Sequence, residues 1–103
     1  VTDRIHVTEA ESAVLAALWR HGPLSAASLI DAVKAGQPWG DATIKTLLGR
    51  LMHKKAVLSE KVDGRQLYRA LLTRKDYVDG EIQNLADRLF EGDLEALAGY
   101  LIP

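Results

Sequence analysis

Asp63 and Gly64 stand between two β-prone runs, VLSEKV and RQLYRALL. A two-residue hairpin turn of type I′ needs positive φ at both central positions, and Asp-Gly is one of the few pairs that supply it. Strands over 57–62 and 65–70 follow from this. The hairpin comes after three stretches of helical periodicity and before two more. Three helices followed by a hairpin is the layout of a winged helix-turn-helix. The expected fold class is therefore mainly α with a small β-hairpin wing, continued by a C-terminal helical segment.

The helices announce themselves by their ends and their stripes. Thr8 to Glu11 reads TEAE, a capping box, and Val14, Leu15, Leu18 and Trp19 then recur at helical spacing to about Arg20. Gly22-Pro23 ends that helix. Ser25 caps a second one, with Ala26, Leu29, Ile30 and Val33 as its buried stripe. Gly36, Pro38 and Gly40 break it, and Gly40 or Asp41 caps a third helix over 41–55. The link between the second and third helices is longer than the roughly three or four residues of the simplest helix-turn-helix. Thr73 caps a fourth helix over 74–90, striped by Val78, Ile82, Leu85, Ala86 and Leu89. Gly92 suits a left-handed C-cap. Asp93 starts a fifth helix with Leu94, Leu97, Ala98 and Leu101 on one side.

The third helix has two unlike faces. Ile44, Leu47, Leu48, Leu51 and Met52 share an arc about 140° wide at ~100° per residue, which predicts burial. Ala42, Thr43, Lys45, Thr46, Gly49, Arg50 and His53 take the opposite side. These residues are cationic, small or hydroxylic, and no carboxylate follows Asp41. The chain as a whole carries a net charge of −1. That sum conceals a strong segregation. Residues 34–75 hold ten basic and three acidic groups, whereas residues 76–103 hold one basic and seven acidic groups. Local charge decides what a surface attracts, so the middle of the chain attracts anions. The acidic helices at the end repel them.

Several function classes are disfavoured. There are no cysteines, which removes disulfides and thiolate metal sites. His6, His21 and His53 lie on different segments without metal-ligand spacing. Neither a Gly-rich phosphate loop nor a nucleophile elbow is present. Asp87 and Glu91 lie four apart on one helix, which reads as a solvated acidic face. No catalytic residue, metal or cofactor is expected. No apolar run is long enough to insert into a membrane, and no leader marks export, so a cytoplasmic protein is expected.

The positive reading is double-stranded DNA. The expected contacts are Ala42, Thr43, Lys45, Thr46, Arg50 and Lys54 on the third helix, with Lys61 and Arg65 on the wing. Lys54 and Lys55 also suit the negative end of their own helix. Trp19 and Tyr68 are expected in the core and Trp39 under the start of the third helix. Gly49 in mid-helix is unfavourable by roughly 1 kcal/mol relative to Ala, which suggests that bulk is unwelcome there. The chain divides into a DNA-binding domain, 1–73, and a helical dimerisation region, 74–103. The dimer surface would be Val78, Ile82, Leu85, Leu89, Leu94, Leu97 and Leu101. The rival reading keeps the fold but makes it a winged-helix protein–protein interaction module.

Four stretches carry a family resemblance: TEAESAVLAALWRHGPLSAASLIDAV, WGDATIKTLLGRLMHKK, GRQLYRALLTRKDY and LADRLFEGDLEALAGYL. In order and spacing they resemble the penicillinase-repressor family, the BlaI/MecI/CopY type of bacterial transcriptional repressors. The resemblance implies a homodimer on a palindromic operator, with the third helix in the major groove and the wing on the backbone. In many members a membrane sensor-protease relieves repression. Three departures stand out. The cysteine cluster of copper-responsive members is missing. Gly99-Tyr100 occupies the place where protease-inactivated members have Asn before an aromatic. Ala56 follows the Lys-Lys pair where many members have Gly, and a left-handed alanine there would be unfavourable by about 1 kcal/mol, so a different helix end is expected.

Overall fold

The computed structural model describes residues 5–103. Its elements run α1 (Glu9–His21), α2 (Ala26–Lys34), α3 (Asp41–His53), β1 (Val57–Val62), β2 (Arg65–Ala70), α4 (Arg74–Phe90) and α5 (Leu94–Leu101). The chain forms two compact units that divide between Thr73 and Arg74.

In the first unit the capping box at Thr8 is complete. Its hydroxyl accepts from Glu11 N at 3.1 Å, and its own amide donates to Glu11 Oε1 at 3.0 Å. Gly22 closes α1 at φ 76°, and Ser25 accepts from Ser28 N to open α2. Val14, Leu15, Leu18, Leu29, Ile30, Val33, Ile44, Leu47, Leu48 and Leu51 are all buried, so α1, α2 and α3 meet through their apolar stripes. Each fully buried aliphatic side chain contributes about 1.5–3 kcal/mol. Trp19 is half-buried, and its Nε1 donates to Leu72 O at 2.9 Å.

Two expectations for α3 need correction. Met52 is 38% exposed rather than buried. It sits at the edge of the apolar arc, about 80° round from Ile44 at ~100° per residue, whereas Leu51, near the centre of that arc, is fully buried. The helix also ends earlier, at His53, with Lys54 as its C-cap. The left-handed position falls on Lys55, at φ 63°, and not on Ala56. Lys55 N donates to Met52 O and Ala56 N to Leu51 O, the paired bonds of a Schellman motif. Ala56 and Leu51, both fully buried, supply its hydrophobic contact. Lysine therefore occupies a site that glycine fits better. Lys55→Gly should raise unfolding free energy by about 0.5–1 kcal/mol, measured by urea denaturation; an unchanged or lower midpoint would contradict the left-handed assignment.

The hairpin pairs Val57 with Ala70 through to Val62 with Arg65, antiparallel. Asp63 at φ 52° and Gly64 at φ 77° make the two positive-φ corners of the turn. A further pairing was not legible in the sequence. Leu24, in the link between α1 and α2, bridges Tyr68 through N–H···O bonds of 3.1 and 2.8 Å. It ties the wing to the helices from its outer edge. Tyr68 itself is half-buried.

The second unit is a helix pair. Glu91 at φ 52° and Gly92 at φ 85° reverse the chain, Asp93 accepts from Ala96 N to open α5, and the Phe90 and Tyr100 rings lie 5.9 Å apart. Among its apolar residues Ala86 and Leu97 are buried, and Leu85 is half-buried. Val78, Ile82, Leu89, Leu94 and Leu101 remain between 41% and 67% exposed. Two short helices cannot bury a stripe of this width by themselves.

Candidate nucleic-acid interface

Burial of Ile44, Leu47, Leu48 and Leu51 fixes which way α3 faces. Ala42, Thr43, Lys45, Thr46, Gly49, Arg50 and His53 are all exposed. A Cβ built on Gly49 would meet nothing within 4 Å. No packing inside the chain therefore demands glycine there. Thr46 Oγ1 donates to Ala42 O at 3.0 Å, back along its own helix. What Thr46 presents outward is its methyl group and oxygen lone pairs, without a free hydroxyl proton.

The N-terminus of α3 is capped by Gly40 without a side-chain bond. Asp41, the carboxylate on this stretch, is paired with Lys34. Hydrogen bonding and charge from Lys34, with a smaller pull from Lys45, hold its carboxyl below the usual range.

Charge pairing sorts the cations of residues 34–75. Lys34 is engaged with Asp41, Lys54 with Glu11, Arg69 with Glu60 and Lys75 with Asp79. Arg74, which opens the second unit, forms no ion pair among the described residues, and neither do five cations of the segment 34–73: Lys45, Arg50, Lys55, Lys61 and Arg65. All five are exposed. Three belong to α3 and its end, and two flank the tip of the wing. Lys61 stands opposite Gln66, and Arg65 follows the turn directly.

Lys54 departs from the expectation of a DNA contact. Its Nζ lies 2.5 Å from Glu11 Oε1 and 2.7 Å from His6 O. The ammonium is turned inward because the carboxylate it meets is 1% exposed and otherwise unbalanced. Burial pushes Glu11 up, but Lys54 and the Thr8 amide outweigh it and hold its carboxyl below the usual value. Lys55, left out of the expected contacts, takes the outward place. Its positive φ carries it off the helical path, which periodicity does not anticipate. Trp39 is half-buried and lines a shallow opening with Glu9, Ala10 and Gln37.

The outer face of α3 is thus a smooth strip about one helix wide that carries unpaired cations, and two more flank the turn of the hairpin. Such a strip suits a regular polyanion whose groove admits a helix.

Comparison with known proteins points the same way. The family described as "Penicillinase repressor" matches residues 7–102. An uncharacterised 16.5 kDa protein of Latilactobacillus sakei is 32% identical over 83 residues, covering 81% of this chain and 57% of that protein. The chain thus spans little more than half the length of that relative. The penicillinase repressor of Bacillus licheniformis is 26% identical over 92 residues, covering 88% of this chain and 71% of the repressor. Among solved structures, the monomeric form of Bacillus licheniformis BlaI in complex with the blaP half-operator is similar at a TM-score of 0.66 and 26% identity, over 74% of this chain and 94% of that one. The DNA-binding domain of the repressor BlaI is similar at a TM-score of 0.63 and 25% identity, over 75% and 94%.

Proposed function

The chain belongs to the penicillinase-repressor family, and we propose that it is a DNA-binding transcriptional repressor that acts as a homodimer on a palindromic operator. The observation that carries this reading is the sorting of cations. Within residues 34–73, those left without a carboxylate gather on α3 and the wing tip, beside a face free of bulk.

Each residue then has a role. Ala42, Thr43, Thr46 and Gly49 let base edges approach, and the methyl groups of the two threonines offer apolar contact. Lys45 reaches a guanine edge or a phosphate. Arg50, further along the same face, holds phosphate. Lys55 joins it from the helix end, and Lys61 and Arg65 straddle the backbone from the wing. A protein-binding use of this face would call for exposed apolar side chains along its centre, where Thr, Lys, Thr, Gly and Arg stand instead.

The exposed stripe of α4 and α5 supports a two-fold dimer, which would present two α3 helices to two half-sites. BlaI meets a half-operator as a monomer, in keeping with an operator built of two halves. The family resemblance adds a membrane sensor-protease as the agent of release. Gly99 and Tyr100, at the corresponding place, lie within α5. No described helix is long and apolar enough to cross a membrane.

Selection of bound sequences from random duplex DNA tests the proposal. The expected result is a dyad whose half-sites are about 10–10.5 base pairs apart, or a multiple of that. No enrichment, or enrichment without symmetry, would overturn it. Gly49→Ala gives a finer test with two opposed readouts. The added methyl meets no protein atom, so the fold should gain roughly 1 kcal/mol. Against a closely approaching base edge the same methyl should weaken operator binding by about 1–3 kcal/mol. Gains in both stability and affinity would place the DNA elsewhere.

A further inference from the structure

Glu11 is the charged side chain that is fully buried among the described residues, at 1% exposed. A carboxylate in an apolar core needs a charge partner, and here Oε1 meets Lys54 Nζ at 2.5 Å and Thr8 N at 3.0 Å. Stability is a poor reason to retain such a pair, because apolar side chains of similar volume often serve as well or better. What an ion pair does supply is direction, since it holds two elements at one separation and one angle.

The surrounding bonds show which elements those are. Lys54 is the C-cap of α3, and its ammonium also binds His6 O at 2.7 Å. Two residues on, Ala56 O accepts from Leu71 N at 2.8 Å and Leu72 N at 3.2 Å, just past the end of β2 where the chain leaves the wing. Leu72 O in turn accepts from Trp19 Nε1 at 2.9 Å, near the end of α1. The first turn of α1 is thus bound to the end of α3, its last turns to the exit of the wing, and Ala56 joins the two.

We propose that Glu11 and Lys54 are positioning residues that set α3 and the wing at the one mutual angle that lets both meet DNA together. The inference rests on the DNA-binding reading above. In it neither side chain touches DNA. A helix alone or a wing alone still attracts phosphate. Only the fixed pair of them brings Thr43, Lys45 and Thr46 to base edges while Lys61 and Arg65 hold the backbone. Loss of the tether therefore lowers discrimination between sequences and leaves general affinity in place.

The test compares the full chain with Glu11→Gln, Lys54→Met and the apolar pair Glu11→Leu/Lys54→Met. Each is titrated against the selected operator and against random duplex at several salt concentrations, with thermal unfolding to confirm the folded state. Expected is a fall in the specific-to-random ratio of about tenfold or more, the size of losing one base contact, in Glu11→Gln and in the apolar pair. Random-duplex binding should stay within about twofold, and the salt slope of Lys54→Met should match the unsubstituted chain, because no phosphate contact is lost. A Lys54→Met slope shallower by about 2 would make Lys54 a phosphate contact in both subunits and overturn the proposal. So would a folded variant of either kind that keeps the full ratio. Should the unsubstituted chain prefer no duplex over another, the DNA-binding reading itself fails, which is a different result from a preference that survives the substitutions.

Discussion

Raising salt from 50 to 200 mM should weaken operator binding about 10³- to 10⁵-fold. The net charge of −1 gives no hint of this. The effect is local. Lys45, Arg50, Lys55, Lys61 and Arg65 have no carboxylate to release before they meet phosphate. If three to five of them engage in each subunit, a dimer makes roughly 6–10 phosphate contacts and the slope of log affinity against log salt lies near −5 to −9. The acidic groups of residues 76–103 lie in the other compact unit. Fluorescence anisotropy of a labelled operator gives the slope directly. Arg50→Ala should make it shallower by about 2, one contact in each subunit. A slope near zero on every duplex would end the electrostatic account, and with it the role given to the basic face.

How much of this was legible in the sequence depends on how local the cause is. The turn at Asp63-Gly64, the capping box at Thr8 and the end of α1 at Gly22 are settled by a few adjacent residues, and the structure has them where the sequence puts them. The direction of α3 was legible too, because four aliphatic residues at helical spacing leave one choice of inward side. Lys54 was not. Its ammonium turns inward for a carboxylate 43 residues earlier, and Glu11 reads in isolation as one member of a capping box. Nothing in the spacing says that the oxygen bonded to the Thr8 amide also meets a lysine. The Leu24–Tyr68 bridge escaped for a related reason: one pair of residues has no period to detect. Met52 shows the limit of a stripe. Periodicity tells which side of a helix is apolar, but how far round the helix its partners cover that side is a tertiary fact. Lys55 adds that a Schellman end can be formed over a lysine when buried Leu51 and Ala56 hold the chain in place around it.

Charging the apolar face of α4 should convert the proposed dimer to monomers and weaken binding to a two-half-site operator about 10²- to 10⁴-fold, toward the affinity for a half-site. The substitution suited to this is Ile82→Lys/Leu89→Lys. The two positions are seven apart, on one face, and 45% and 60% exposed. Leu85, between them, is half-buried, so changing it would confound assembly with folding. Lysine is a good helix former, and near the end of α4 it suits the helix dipole. The unit itself should therefore lose little stability. In an assembled dimer the two side chains would be worth roughly 1 kcal/mol each for the apolar area they still expose. Four such losses per dimer, with ammonium groups to desolvate, exceed what a small helical interface can absorb. The sign of the new charge matters most. Added lysines favour phosphate, so weaker operator binding could not be blamed on repulsion from DNA. It would have to come from lost bivalence. Sedimentation equilibrium reads the assembly state and anisotropy the affinity. An unchanged dimer would move the interface off α4, and monomers that bind the full operator undiminished would remove the need for two subunits.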